Sequence, residues 1–275
     1  MSATITAPRP TGGSKLSTGG VIRSEWIKLR SVRSTIWSYA IVIAVSVGMA
    51  LLLSALTNFG DTTVPSDQHS TILLQAATFG IYFGQLVVAV LGVLVISGEY
   101  STGMIRSTLT AVPKRLPALA AKAFVLFATT VVVGLVASFL SLLIAVPILA
   151  GKGIDADFSD GSLIANVALS ALYLGLVAVF SLGVGTVLRS SAGGIAAALG
   201  VILLLPTVLQ VFAGITQAQW AVDVMPYLFS NAGLSIFTPS FDGSGPEQWQ
   251  NLLIVLVWTA VSLAAGALLI KRRDA

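Results

Sequence analysis

Charged and apolar side chains are segregated along this chain in long blocks. Six stretches contain no Asp, Glu, Lys, Arg or His: Ser34 to Gly60, Ser70 to Gly98, Ala123 to Gly151, Gly161 to Leu188, Ser190 to Val222, and Gln248 to Ile270. Each exceeds the roughly 20 helical residues needed to cross a hydrocarbon layer about 30 Å thick. Core helices of soluble proteins seldom run so long without a charge, and membrane strands would read as alternating segments of about ten residues. The pattern predicts an all-α membrane protein with six transmembrane helices, over about 35–57, 75–97, 122–147, 162–187, 192–214 and 249–270.

Composition narrows the function classes. Charged residues make up 9% of the 275 and the mean hydropathy is +0.94, against about 25% charged in soluble domains, which excludes an ordinary soluble enzyme. There is no cysteine and only one histidine, His69, so thiolate chemistry and histidine metal sites are excluded. No nucleophile, base or metal cluster is arranged for catalysis. A G-x-x-x-x-G-K-[ST] phosphate loop is also missing, since Gly151-Lys152-Gly153 lacks the hydroxyl residue. No enzyme activity and no cofactor or metal are expected on this chain. The acidic trio Asp155, Asp157 and Asp160 lacks the glycine and glutamate of a calcium loop and reads as a solvated outer loop.

Charge sets the orientation. With six spans, fourteen of the fifteen Lys and Arg residues fall on one side and only Lys152 on the other. The positive-inside rule makes that side cytoplasmic and places both termini there. The sequence pI of about 9.6 then reflects basic loops facing anionic membrane lipid, and not nucleic-acid binding. Residues 1–20 are rich in Pro, Gly, Ser and Thr without apolar periodicity and read as a disordered tail. A cleaved signal peptide is not expected, because the first apolar run is too long and no A-x-A site follows it.

Two cytoplasmic segments depart from a plain bundle. Over 21–34, Val21, Ile22, Trp26, Leu29 and Val32 fall within an arc of about 140°, with Arg23 and Arg30 beyond it. Ile27 lies outside the arc, whereas Glu25 and Arg33 lie inside it. A basic helix with an indole on its apolar side suits the membrane surface; the alternative is an ordinary charged flank. In the second connection, Ser101 can cap a short helix carrying Met104, Ile105 and Leu109, limited by Pro113.

That connection reads Gly98-Glu99-Tyr100-x-x-Gly103-x-x-Arg106-x-x-Leu109-x-x-x-Pro113-x-Arg115 and ends at Lys122. It resembles the cytoplasmic loop between the second and third spans of ABC type-2 exporter permeases. Arg23-Ser-Glu25-Trp26-x-Lys28-Leu-Arg30-Ser, followed by Arg33, resembles the connecting helix that precedes their first span. Met104 departs from the threonine frequent in the family at that place. The resemblance implies a transmembrane permease subunit, in the inner membrane of a prokaryote, that works as a dimer with itself or a related permease. ATP and magnesium would be handled by separate cytoplasmic ATP-binding-cassette subunits. It further implies that Glu99, Tyr100, Gly103, Met104, Ile105, Arg106, Leu109 and Arg115 belong to a coupling helix seated on the ATPase. Glu99 is expected to pair with one of Arg23, Lys28, Arg30 or Arg33.

Uncharged amides within the spans, Gln75, Gln85, Asn166 and Gln210, usually bond between helices. The alternative puts Gln85 and Gln210 on a substrate path, with Pro206 opening a kink. Residues 215–249 carry Trp220, Tyr227, Phe229 and Phe237 but no Lys or Arg; they read either as an external re-entrant segment, as the family likeness implies, or as a surface loop. The spans hold no carboxylate, which argues against an ion-coupled carrier. An ATP-independent sensor, scaffold or assembly component shares the same topology and is the alternative function.

Overall fold

The computed structural model describes residues 17–58, 64–104, 116–158, 161–238 and 245–272, and among these every regular element is helical. In order they are α1 (Thr18–Ser31), α2 (Arg33–Leu56), α3 (Ser66–Thr78), α4 (Ile81–Ser101), α5 (Leu116–Ala150), α6 (Ser162–Leu188), α7 (Ser191–Leu199), α8 (Leu205–Thr216), α9 (Gln219–Val224), α10 (Phe229–Ser235) and α11 (Gln248–Arg272). Six helical stretches are long and apolar enough to cross a membrane: α2, α3 with α4, α5, α6, α7 with α8, and α11.

The boundaries differ from the expected ones in physically sensible ways. Helix α1 begins at Thr18, inside the segment expected to be tail, and ends at Ser31 because Val32 is extended. Arg33 therefore opens the first span. The second span is interrupted by a turn at Phe79 and Gly80, where the Gly80 backbone lies against the Ser46 backbone of α2 and leaves no room for a Cβ. In the fifth span a π-helical turn, Gly200–Leu204, precedes α8, which has Pro206 in its first turn. Proline lacks an N–H and crowds the preceding carbonyls, and the wider turn accommodates it.

Helix α6 sits at the centre, packed on α4, α5 and α11. Small residues permit this: Gly92 of α4 lies against the Ala178 carbonyl, and Gly183 lies against Ser262 of α11. Polar pairs cross the same interfaces. Ser138 meets Ser170 at 3.0 Å, and Ser262 donates to the Phe180 carbonyl at 2.7 Å. Gln248 donates to Asn166 at 2.8 Å, so α6 and α11 run parallel in a constant register.

Between α8 and α11 the chain forms a short helical hairpin. The Tyr227 carbonyl accepts from Trp258 Nε1 at 3.1 Å, ten residues into α11 and therefore about 15 Å along it. Phe229 stacks on Phe180 with centroids 4.4 Å apart, and the return arm ends where Gln248 donates to the Ile236 carbonyl. Phe229 and Phe237 are fully buried against Tyr173.

At that same end of the bundle, the turn 151–158 clasps two spans. Lys152 donates to the carbonyls of Ser54, Ala55 and Thr57 at 2.8, 2.7 and 2.6 Å, which caps α2. The Asp155 N–H donates to His69 Nδ1 at 3.1 Å. Accepting there places the imidazole proton on Nε2, which faces the Val64 carbonyl at 3.2 Å.

Candidate functional site

The opposite end brings together α1, the end of α4 and the start of α5. Four charged side chains from these helices close into a ring of alternating sign. Lys28 Nζ donates to Glu25 Oε1 at 2.7 Å and to Glu99 Oε1 at 3.0 Å. Lys122 Nζ donates to Glu25 Oε2 at 2.5 Å and to Glu99 Oε1 at 2.8 Å. Glu25, Glu99 and Lys122 are each at least nine-tenths buried, and Lys28 is partly exposed. The formal charges cancel, which makes burial tolerable: an isolated ion here would carry a desolvation cost of several kcal/mol.

Each member is placed by its helix. Glu25 and Leu29 lie four residues apart on the buried side of α1. Glu25 thus occupies the apolar arc, where its carboxylate meets the ammonium of Lys122. Lys122 is six residues into α5 and points at α1 rather than at solvent. Glu99 lies in the last turn of α4, shortly before Gly103, whose φ of +71° puts the chain in the left-handed region that glycine adopts without strain. Burial by itself would lower the Lys28 pKa; the hydrogen bonds and charges of Glu25 and Glu99 outweigh it and hold the ammonium above its ordinary value. Lys28 is therefore charged at neutral pH.

Of the residues the sequence singled out, Glu99, Glu25 and Lys28 come together here, and Lys28 is the partner of Glu99 among the four cations considered. Tyr100 lies beneath Arg189, whose guanidinium carbon is 5.2 Å from the ring centroid, a cation–π distance. Arg23, Arg30 and Arg33 are exposed and form no ion pair among the described residues. Trp26 is about half exposed beside Arg30, and Met104 borders a cavity of about 390 Å³ next to the ring. Ile105, Arg106, Leu109 and Arg115 lie outside the described residues. Gln85 and Gln210 are not brought together. Gln85 is buried and accepts from Tyr173 at 2.5 Å, whereas Gln210 is exposed on α8 beyond the partly exposed Pro206. Gln75 is likewise exposed, so two of the four amides, Gln85 and Asn166, bond between helices.

One ring member carries no signal in the sequence: Lys122 stands there only as the end of the second connection. The available signal was Glu25, a carboxylate on the apolar face of a helix that needs a buried cation. Among the described residues no group of acidic or histidine side chains is placed to hold a metal ion.

No curated protein matches the chain. The family model described as ABC-2 family transporter protein matches residues 21–201, which is well over half of the 275 residues and includes all four members of the ring. The chain belongs to the ABC-2 family of transporter membrane proteins.

Proposed function

We propose that this chain is the permease subunit of an ATP-driven exporter, in which a separate ATP-binding-cassette subunit supplies energy through the ring of Glu25, Lys28, Glu99 and Lys122. The carrying observation is that four charges, three of them buried, tie the helix preceding the first span to the ends of the second and third spans. A joint of this kind moves as one body, because separating its parts strands a charge in a dry setting. The coupling segment from Glu99 to Arg115 leaves directly from it, so force applied there by an ATPase reaches three helices at once.

In this reading the ring end is cytoplasmic, as are both termini, and the membrane is the plasma membrane of a prokaryote. The hairpin from α9 to α10 is then an external re-entrant segment, supported by the depth at which Phe229 and Tyr227 meet α6 and α11. Two copies, or this chain and a related permease, enclose the pathway. The exposed face of α8 with Gln210 and Pro206 borders it, and an apolar or amphipathic compound is the cargo. ATP binding shifts the pair between states to the extent that its affinity differs between them.

The test is mass spectrometry of proteins retained with the chain after gentle detergent extraction, comparing wild type, Glu99→Lys and Arg106→Glu. Wild type is expected to retain a Walker-motif ATPase and Glu99→Lys to lose it. Arg106→Glu changes the proposed docking segment and none of the four ring residues, so its loss of the ATPase separates disrupted docking from a broken ring. An ATPase absent from the wild-type sample, with other complexes preserved, overturns the exporter reading in favour of a sensor or scaffold.

A further inference from the structure

We propose that the groove between α1, α2 and α5 binds one acyl chain of an anionic phospholipid, whose headgroup is held by the α1 arginines. The groove encloses about 450 Å³ and is walled by Ile22 and Trp26 of α1, Ile36 and Tyr39 of α2, and Phe124 and Val132 of α5. That volume falls within the range of specific small-molecule sites. Along α5 the lining extends from Phe124 to Val133, a rise of about 13 Å along the helix, which gives a slot with the length of an extended hydrocarbon segment.

Inside the groove the hydroxyls of Tyr39 and Thr129 are already hydrogen-bonded. Tyr39 Oη bonds to Thr129 and Thr130 hydroxyls at 3.0 and 2.9 Å, and Thr129 also donates to the Val125 carbonyl at 2.8 Å. With those hydroxyls engaged and most of the lining aliphatic or aromatic, the groove suits a hydrocarbon chain rather than a polar head.

Charge selects the head. Lys28 and Lys122 are neutralised within the ring. Arg30 lines the mouth of the groove, and Arg23, seven residues earlier, lies on the same face of α1. Both are exposed and lack an acidic partner among the described residues. Basic pockets between helices at a membrane surface recruit anionic headgroups, at about 1 kcal/mol per Arg. Trp26 stands between head and chain, at the boundary where indoles are favoured. The site is separate from the ATPase contact, and shares with the proposed function only the placement of α1 at a membrane surface.

The experiment is native mass spectrometry of the intact chain released from bilayer discs containing phosphatidylglycerol and phosphatidylcholine in equal amounts. Phosphatidylglycerol should be retained at least about fivefold over phosphatidylcholine, and Arg30→Gln should reduce that preference about fivefold. Val132→Phe, which fills the groove while leaving the arginines and the ring in place, should reduce retention of both lipids. A second measurement follows Trp26 fluorescence in a variant with the other four tryptophans replaced by Phe. Phosphatidylglycerol brominated on its acyl chain should quench it more strongly than brominated phosphatidylcholine. Equal retention of the two lipids overturns the proposal. So does a preference that survives both Arg30→Gln and Val132→Phe, which would assign the lipid to the general basic surface, or a second copy of the chain occupying the face when lipid is removed.

Discussion

The two ends of this helical bundle solve the same problem in different ways. Each must fasten the ends of several spans to one another. At one end the fastening is a closed ring of four charges, Glu25, Lys28, Glu99 and Lys122, three of them buried. At the other it is a set of one-sided contacts: Lys152 on three backbone carbonyls, His69 on a backbone N–H, and an aromatic hairpin packed into α6 and α11. A ring is cooperative, since each carboxylate is stable there only while both ammonium groups are present. Caps and packed rings are closer to additive. The ring end is thus built to move as a unit and the hairpin end to yield piece by piece.

The strongest way to break this contrast is to open the ring. Lys122→Met leaves two buried carboxylates sharing Lys28, and is expected to destabilise the protein by about 3–5 kcal/mol. Size-exclusion chromatography of the detergent-solubilised protein after heating would read this as loss of the folded peak. Inverting all four charges together keeps the alternation and should recover much of the loss, which no single or double inversion does. The hairpin end should show a smaller effect. Gly233→Ala directs a methyl group into the fully buried Tyr173 ring and should cost about 1–3 kcal/mol. Hydrogen exchange is expected to quicken in 219–237 while α1 stays protected.

Lys152→Ala removes a cap and should cost about 1 kcal/mol, seen as faster exchange confined to the last turn of α2 and to 151–158. The smallest effect is that of pH on the ring. A lysine whose folded pKa is raised contributes its full stability below the ordinary value near 10.4 and loses it only as pH climbs through the folded value. The melting temperature of wild type should therefore show no Lys28-dependent change between pH 6 and 9, the same as in Lys28→Met.

Much of this was legible in the sequence, and the remainder was hidden for physical reasons. Six charge-free runs longer than a bilayer is thick fix six helical spans whatever their packing. The imperfect amphipathic pattern of α1 was also informative, because Glu25 on its apolar side marks an acid with a buried partner. The identity of that partner was not readable: Lys122 lies 97 residues away from Glu25, and nothing local distinguishes it from the loop cations before it. Arg189 over Tyr100 is hidden in the same way. The turn at Phe79 and Gly80 depends on the approach of Ser46 from another helix, a tertiary contact that periodicity does not encode. The depth of the aromatic hairpin rests on the parallel register of α6 and α11, which the sequence of the hairpin does not carry.

The most direct test of the central claim measures rigidity across the ring while the proposed ATPase partner binds nucleotide. Spin labels at Ser31 of α1 and Thr102 beyond α4, both exposed, straddle the ring, and a second pair at Thr102 and Trp249 spans the bundle from one end to the other. In a complex with the proposed ATPase, pulsed electron paramagnetic resonance would compare these distances without nucleotide and with ATP and magnesium under non-hydrolysing conditions. The account predicts an unchanged distribution for Ser31–Thr102 together with a shifted one for Thr102–Trp249. A Ser31–Thr102 distance that changes with nucleotide while the longer one holds still would contradict it.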